Sequence, residues 1–140
     1  MPDTIETSVR KVLTDDSAVT ALVSSRIYPV AAPQSASKPF IVYEVERLDP
    51  QDALEGHGGL TFADFGLTCW ASSYGDAKEV ATAVRDALLD YNGTSDNIKV
   101  HWSRHDNSRD TVVWPDDGTE LPVYGVEQDW RVAFSSTKAS

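Results

Sequence analysis

The stretch LTFADFGLTCWASSYGDAKEVATAVRDALLDY, residues 60–91, decides the predicted fold because it joins the two clearest elements of the chain. Its first part, Leu60 to Ala71, carries apolar side chains on both faces of an extended chain, which predicts an interior strand of a sheet. These side chains are Phe62 and Trp70 on one face and Phe65, Leu67 and Cys69 on the other.

The second part of the stretch predicts a helix. Ser73 can cap this helix, and Asp76 stands three residues later, where a capping box usually has Glu. Apolar residues then recur at helical spacing, at Ala77, Val80, Ala81, Val84, Ala87, Leu88 and Tyr91. Gly93 is the predicted C-terminal stop. About sixteen residues at 1.5 Å each give roughly 24 Å, which is enough to cross one face of a sheet.

Two shorter helices and two strands are predicted upstream. Residues 3–13 carry an apolar stripe with Asp3 or Thr4 as N-cap, and residues 17–23 predict a second helix capped by Asp16. The segment that follows, RIYPVAAPQ, contains two prolines, which disfavour a helix and favour a strand that leads into a turn.

The second upstream strand is predicted from Phe40 to Arg47, where apolar and acidic side chains alternate as they do in a half-buried strand. The connection from residue 48 to residue 59 has about twelve residues, whereas a hairpin loop usually needs two to five. We therefore expect residues 48–59 to form a long arm with a functional role.

The C-terminal third predicts only strands. Ile98 to Trp102 and Thr111 to Trp114 favour two short strands separated by the polar residues 103–110. A longer strand is predicted from Leu121 to Phe134, and extended it would span roughly 46 Å. We expect this strand to bend, with Gly125 as the candidate position, or to project from the domain. Its apolar positions are Tyr124, Val126, Trp130, Val132 and Phe134, interrupted by Gln128.

The acidity of the chain is concentrated in two segments. The 140 residues include 22 acids and 12 bases, a net charge of −10. Residues 44–64 hold six acids and one base, residues 106–129 hold seven acids and one base, and the rest is nearly neutral. Because nucleic-acid affinity depends largely on Lys and Arg contacts to phosphate, conventional nucleic-acid binding is disfavoured.

No residue pattern predicts catalysis, a cofactor or a metal. The single Cys69 excludes an internal disulfide, and its apolar surroundings favour a packed thiol in a reducing compartment. His101 and His105 are four residues apart, but they fall in strand and loop rather than on one helix face. The glycine-rich residues 56–59 precede a strand, so we interpret them as a hairpin tip rather than a phosphate-binding loop.

The length fits one domain of ordinary size. No segment reaches about 18 consecutive apolar residues, and the N-terminus lacks the pattern of a signal peptide, so we expect synthesis in the cytosol and no membrane partner. Trp102 and Trp114 flank a charged segment, and we expect at least one of them at the surface, with core packing as the alternative. These features are typical of an assembling protein.

The order of several short motifs resembles the tail terminator proteins of long-tailed bacteriophages and prophages, also called tail completion or head-to-tail joining proteins. The similarity covers roughly residues 5–91. The motifs are Val12-Leu13 through Ala21-Leu22-Val23, the RIYPVAAPQ segment from Arg26 to Gln34, Pro39-Phe40-Ile41-Val42-Tyr43, Trp70-Ala71, and the helix from Asp76 to Tyr91 that contains Ala83 to Leu88.

The resemblance implies an α+β fold, with a mixed or mainly antiparallel β-sheet flanked by helices in a single domain. We place this domain at residues 1–134, followed by a polar tail at residues 135–140. The resemblance further implies a homohexameric ring that caps the tail tube, stops tube polymerisation and gives the head connector a docking surface. Its partners would be copies of itself, the tail tube protein and head-connector proteins. It would lie in the virion at the head-proximal end of the tail, after assembly in the host cytoplasm, without catalytic residues or cofactor.

Two residue sets follow as expectations. The candidate assembly contacts are Asp49, Asp52, Leu54, Glu55, His57, Trp102, Trp114 and Arg131. The candidate channel-facing acids, past which DNA would move without specific binding, are Glu44, Glu46, Asp116, Asp117, Glu127 and Asp129. Two alternatives stay open: another neck or tail-tube component, and a small cytosolic ligand-binding domain or enzyme, which would need a pocket with convergent polar groups.

Overall fold

The computed structural model describes residues 4–33, 36–50, 60–95, 98–114 and 121–136. Its elements are α1 (Ile5–Asp15), α2 (Ser17–Val23), β1 (Ile27–Pro29), β2 (Phe40–Pro50), β3 (Thr61–Ala71), α3 (Tyr74–Leu88), β4 (Gly93–Ser95), β5 (Ile98–Val113) and β6 (Val123–Ser136). The strands form one curled sheet in the order β1-β2-β3-β6-β5-β4. Among the strands of these described ranges only β1 and β2 pair in parallel, so the predicted mixed α+β fold is confirmed.

The first two helices follow the caps that the sequence predicts. Thr4 accepts a hydrogen bond from the Thr7 amide, and the Thr7 hydroxyl accepts one from the Thr4 amide, which makes a capping box. Asp16 caps α2 by accepting from the amides of Ala18 and Val19. No helix in the described ranges is long and apolar enough to cross a membrane.

Helix α3 begins as predicted and ends earlier than predicted. The Ser73 side chain accepts a hydrogen bond from the Asp76 amide at 3.2 Å. The helix ends at Leu88, and Asp90 takes the left-handed backbone conformation with a φ of 58°. Asp tolerates this conformation better than most residues, so the predicted stop at Gly93 is wrong, and Gly93 instead begins β4.

The core lies between the helices and one face of the sheet. Alternate residues of β3 are buried, from Ala63 to Ala71, and the central strand β6 buries Val126, Trp130 and Val132 on the same side. The opposite side of β3 is half-buried. We call this second side, which the helices do not cover, the open face.

Strand β5 corrects a prediction of two short strands. It runs without a break from Ile98 to Val113 and pairs with β6 along its length, with bulges at Val100/Trp102 and His105/Asn107. Residues 103–110 looked like a loop because their polar side chains lie mostly at an exposed edge of the sheet. Cross-strand pairing with β6 holds them extended.

Strand β2 also extends beyond its predicted end. It continues to Pro50 through a bulge between Val45 and Arg47, so residues 48–50 belong to the sheet and not to the predicted arm. The remainder of that arm, residues 51–59, lies outside the described residues.

Strand β6 does not project from the domain. It pairs with β3 on one side and with β5 on the other, and it continues to Ser136, two residues into the predicted tail. At Gly125 an added Cβ would lie 2.8 Å from the Trp70 ring and 2.9 Å from Thr111 Cγ2. Glycine is needed there because the Trp70 side chain packs across the backbone.

Substituting Gly125 tests this close approach. We expect Gly125→Ala to lower the free energy of unfolding by about 1–3 kcal/mol, because the new methyl group overpacks the site. Gly75→Ala is the matched control, since a Cβ at Gly75 meets nothing within 4 Å. Urea denaturation followed by circular dichroism measures both variants, and equal stabilities would contradict the packing role of Gly125.

Candidate assembly surface

The open face gathers charged residues that are scattered along the sequence. Register places Arg47 beside Asp64, Asp64 beside Arg131, and Arg131 beside Arg104 across four neighbouring strands. The charged side chains on this face are Glu44, Glu46, Arg47, Asp49, Asp64, Arg104, Arg109, Glu127, Asp129 and Arg131. The two acidic segments of the sequence therefore meet on one surface, together with four arginines.

Arg109 forms ion pairs with two of the predicted channel-facing acids. Its guanidinium lies 3.0 Å from a Glu127 oxygen and 2.8 Å from an Asp129 oxygen. The hydrogen bond to Asp129, then the charges of both acids, raise the pKa of Arg109. Glu127 and Asp129 thus lie on the open face as ion-paired groups and not as free acids.

Arg131 lies with two other predicted assembly contacts, Asp49 and Trp102, in one corner of the open face. Its guanidinium lies 3.8 Å from Asp49 Oδ2, and its Nε lies 3.4 Å from Asp64 Oδ1 without hydrogen-bond alignment. The same guanidinium stacks over the Phe62 ring at 4.8 Å, and that ring contacts Trp102 at a centroid distance of 5.7 Å. Asp49, Trp102 and Arg131 therefore form one cluster within the chain.

Glu44 and Glu46 carry the unpaired negative charge of this surface. Both side chains are exposed, and neither has an ion-pair partner within 4.0 Å among the described residues. Glu46 lies across Gly66, with its carboxylate 3.1 Å from the position of a Cβ there. Partial burial, then the charges of Asp129 and Glu44, raise the pKa of Glu46. The acidic excess of the open face therefore lies on β2.

The remaining predicted site residues divide into two groups. Trp114, just beyond β5, is 62% exposed, which confirms that at least one of the two flanking tryptophans reaches the surface. Six residues lie outside the described part of the chain: Asp52, Leu54, Glu55, His57, Asp116 and Asp117.

An apolar groove of about 760 Å³ occupies the other end of the open face. Val30 and Leu121, 71% and 78% exposed, line it together with Phe40, Trp70 and Val113. Sequence reasoning missed this groove because its walls come from separate segments that only the sheet brings together. The arginine bridge at Arg109 was missed for the same reason, although the alternation of Glu127, Asp129 and Arg131 indicated a polar strand face.

Cys69, His101 and His105 lie in three different environments and do not form a common site. Cys69 is fully buried, and burial raises the pKa of its thiol to about 12. His101 Nε2 lies 2.9 Å from Ser135 Oγ, whereas the His105 ring stacks on Trp130 at 4.9 Å. The described ranges bring no three His, Cys, Asp or Glu side chains together as a metal-binding group.

Comparison with known proteins identifies the family. The fold is similar to a chain in the virion of a native gene transfer agent particle, with a TM-score of 0.66 and 18% identity over 91% of this chain and 92% of that one. A second solved structure has a TM-score of 0.53 and 14% identity, again over 91% and 92%. No curated protein matches in sequence. Residues 7–117 match the family Tail completion protein gp17. The predicted resemblance is therefore confirmed, and the chain belongs to the Tail completion protein gp17 family of phage tail structural proteins.

Proposed function

We propose that this protein forms a ring that caps the phage tail tube, stops tube polymerisation and gives the head connector a docking surface. The observation that carries the proposal is membership of the tail completion family over residues 7–117. Six copies are proposed because the sequence resemblance to tail terminators implies a hexamer. The protein would act at the head-proximal end of the tail in the virion, after assembly in the bacterial cytoplasm.

The sheet supplies surfaces that suit a ring. Within the described residues, β1 pairs only with residues 41–43 of β2, and β4 pairs only with residues 98–100 of β5. Among the described residues, 44–50 and 101–113 therefore have no strand partner on their outer sides. Contacts between two different surfaces of identical subunits are head-to-tail, and such contacts close into rings when the rotation closes.

The open face is the side that we place toward the central channel. The helices would then lie outside, and Glu44 and Glu46, which have no ion-pair partner among the described residues, would point inward. A negative lining disfavours contacts with phosphate, so DNA would pass without specific binding. We also propose that the other predicted channel-facing acids line the channel and that the predicted assembly contacts lie between subunits. Both proposals include the residues outside the described ranges.

Deleting the gene in the phage tests the function. We expect electron microscopy of the lysate to show tails longer than those of the wild type and heads that lack tails, because tube growth has no terminator. Complementation with the wild-type gene restores joined particles of normal length and serves as the control. Joined virions with normal tails after the deletion would contradict the proposal. Absence of tubes altogether would favour the alternative of a tube component.

A further inference from the structure

We propose that the outer edge of β2 in one copy docks beside the outer edge of β5 in a second copy of this chain, and that edge charge selects this pairing. We call residues 44–50 the β2 edge and residues 101–113 the β5 edge. The inference rests on the proposed ring and names the contact that would build it.

Both edges are accessible. On the β2 edge, Glu44, Glu46, Arg47 and Leu48 are exposed, and Leu48, an apolar residue, is 52% exposed. On the β5 edge, residues 106–110 are exposed, as are Val112 and Val113. Unpaired strand edges present backbone donors and acceptors that can pair with another chain.

The open-face side chains of the two edges have opposite charges. The β2 edge carries three acids, Glu44, Glu46 and Asp49, against Arg47, a net charge of −2. The β5 edge carries Arg104 and Arg109 on the open face, with Asp106 ion-paired to Arg104, a net charge of +1. The two arginine side chains remain 59% and 48% exposed although they bind carboxylates of their own chain.

The acids of the β5 edge are already bound. Asp106 lies at a bulge, 2.9 Å from Arg104 Nε. Asp110 lies 2.7 Å from Lys78 and accepts a hydrogen bond from Tyr74, on the side of the helices. The open side of this edge therefore presents two exposed guanidiniums, of which Arg104 is ion-paired with Asp106 and Arg109 with Glu127 and Asp129.

Charge disfavours symmetric pairing of either edge with itself. Side chains that lie directly opposite on neighbouring strands are about 5 Å apart, and like charges in such positions are destabilising. Two β2 edges would oppose acids, and two β5 edges would oppose arginines. Pairing of unlike edges is the arrangement in which opposite charges meet, and it is head-to-tail.

Strand direction fits the same pairing. The long strands alternate in direction in the order β2, β3, β6, β5, so β2 and β5 run opposite ways. Rotation about an axis along the strands preserves direction, and a neighbour's β5 would therefore be antiparallel to β2. The new pair would continue the antiparallel hydrogen-bond pattern of the sheet.

A competing explanation is that charges and bulges protect these edges from association. Native sheets often use such devices against edge-to-edge aggregation, and both edges carry a bulge, at Val45/Arg47 and at His105/Asn107. This explanation predicts that reversing the edge charges leaves assembly unchanged. Docking predicts that reversing the charge of one edge weakens assembly, and that reversing the charge of the opposite edge as well restores it.

Sedimentation velocity of the full chain over a range of concentrations distinguishes the two explanations. We expect Glu44→Lys/Glu46→Lys and Arg104→Glu each to raise the midpoint concentration for assembly at least tenfold. An equimolar mixture of the two variants should assemble again, because every β2 edge then meets a β5 edge of opposite charge. The variant with all three substitutions should assemble alone. Glu79→Lys/Asp86→Lys, on the exposed side of α3, is the control with the same charge change and should behave as wild type.

Further outcomes separate this inference from the ring proposal. A mixture of Glu44→Lys/Glu46→Lys with wild type should not recover full assembly; recovery would indicate symmetric pairing of β2 edges and overturn the inference. A wild type that assembles while the edge variants assemble equally well would overturn this contact and leave the ring standing. A wild type that stays monomeric at every concentration would count against both.

Discussion

Replacing Trp130 with alanine is expected to lower the free energy of unfolding by about 3–5 kcal/mol, which is the usual cost of truncating a buried aromatic side chain. Trp130 is 1% exposed and is among the largest fully buried side chains in the described ranges. Its ring stacks on His105, and its Nε1 donates a hydrogen bond to Gln128 Oε1 at 3.0 Å. Since the free energy of unfolding of a domain is typically about 5–15 kcal/mol, the variant should lose much of its stability.

Urea denaturation followed by circular dichroism measures this loss. Trp130→Phe is the matched variant, because it keeps an aromatic ring and removes the indole N–H. We expect it to lose less stability than the alanine variant, with Gln128 Oε1 left without its donor. A loss below about 1 kcal/mol for Trp130→Ala would contradict the central packing role of this side chain.

Replacing Gln128 with glutamate is the second large expected effect, and it depends on pH. Gln128 is 3% exposed; its Nε2 donates to the Ala81 carbonyl at 2.9 Å, and its Oε1 accepts from Trp130. A carboxylate there would be buried beside a carbonyl to which it cannot donate. Burial raises the pKa of such a carboxyl above its ordinary value of about 4.3. We expect a destabilisation of about 3 kcal/mol or more at pH 8.

The sign of the pH dependence follows from linkage. A raised pKa in the folded state means that the folded protein holds the proton more tightly than the unfolded chain. Stability is therefore retained near the ordinary glutamate pKa and is lost as pH rises through the folded value. Denaturation at pH 5 and at pH 8 should show a larger penalty at pH 8. Gln128→Leu is the control, and an identical pH trend in both variants would contradict the explanation.

Both residues lie on β6, where the two faces of one strand serve different purposes. Residues 126, 128, 130 and 132 pack under the helices and stabilise the fold. Glu127, Asp129 and Arg131 point to the open face, where they bind Arg109, Asp49 and Asp64. The predicted interruption of the apolar pattern at Gln128 is thus a buried hydrogen-bonding residue and not a break in the strand.

The helices and the interior strand were predictable because their signals are local. Caps at Thr4, Asp16 and Ser73 act within three residues, and the alternation of β3 shows directly in its sequence. Strand β5 was not predictable in the same way. Its polar middle is extended because β6 pairs with it and because Arg109 reaches acids on another strand.

By itself, the sequence determined the helix caps, the strand alternation, the acidity and the resemblance to tail terminators. These properties depend on residue type and on neighbours within a few positions. Only the tertiary structure decided that Glu127 and Asp129 are ion-paired with Arg109 while Glu44 and Glu46 lie at an edge. The reason is that strand order and register set which charges stand about 5 Å apart, and neither is encoded in local spacing.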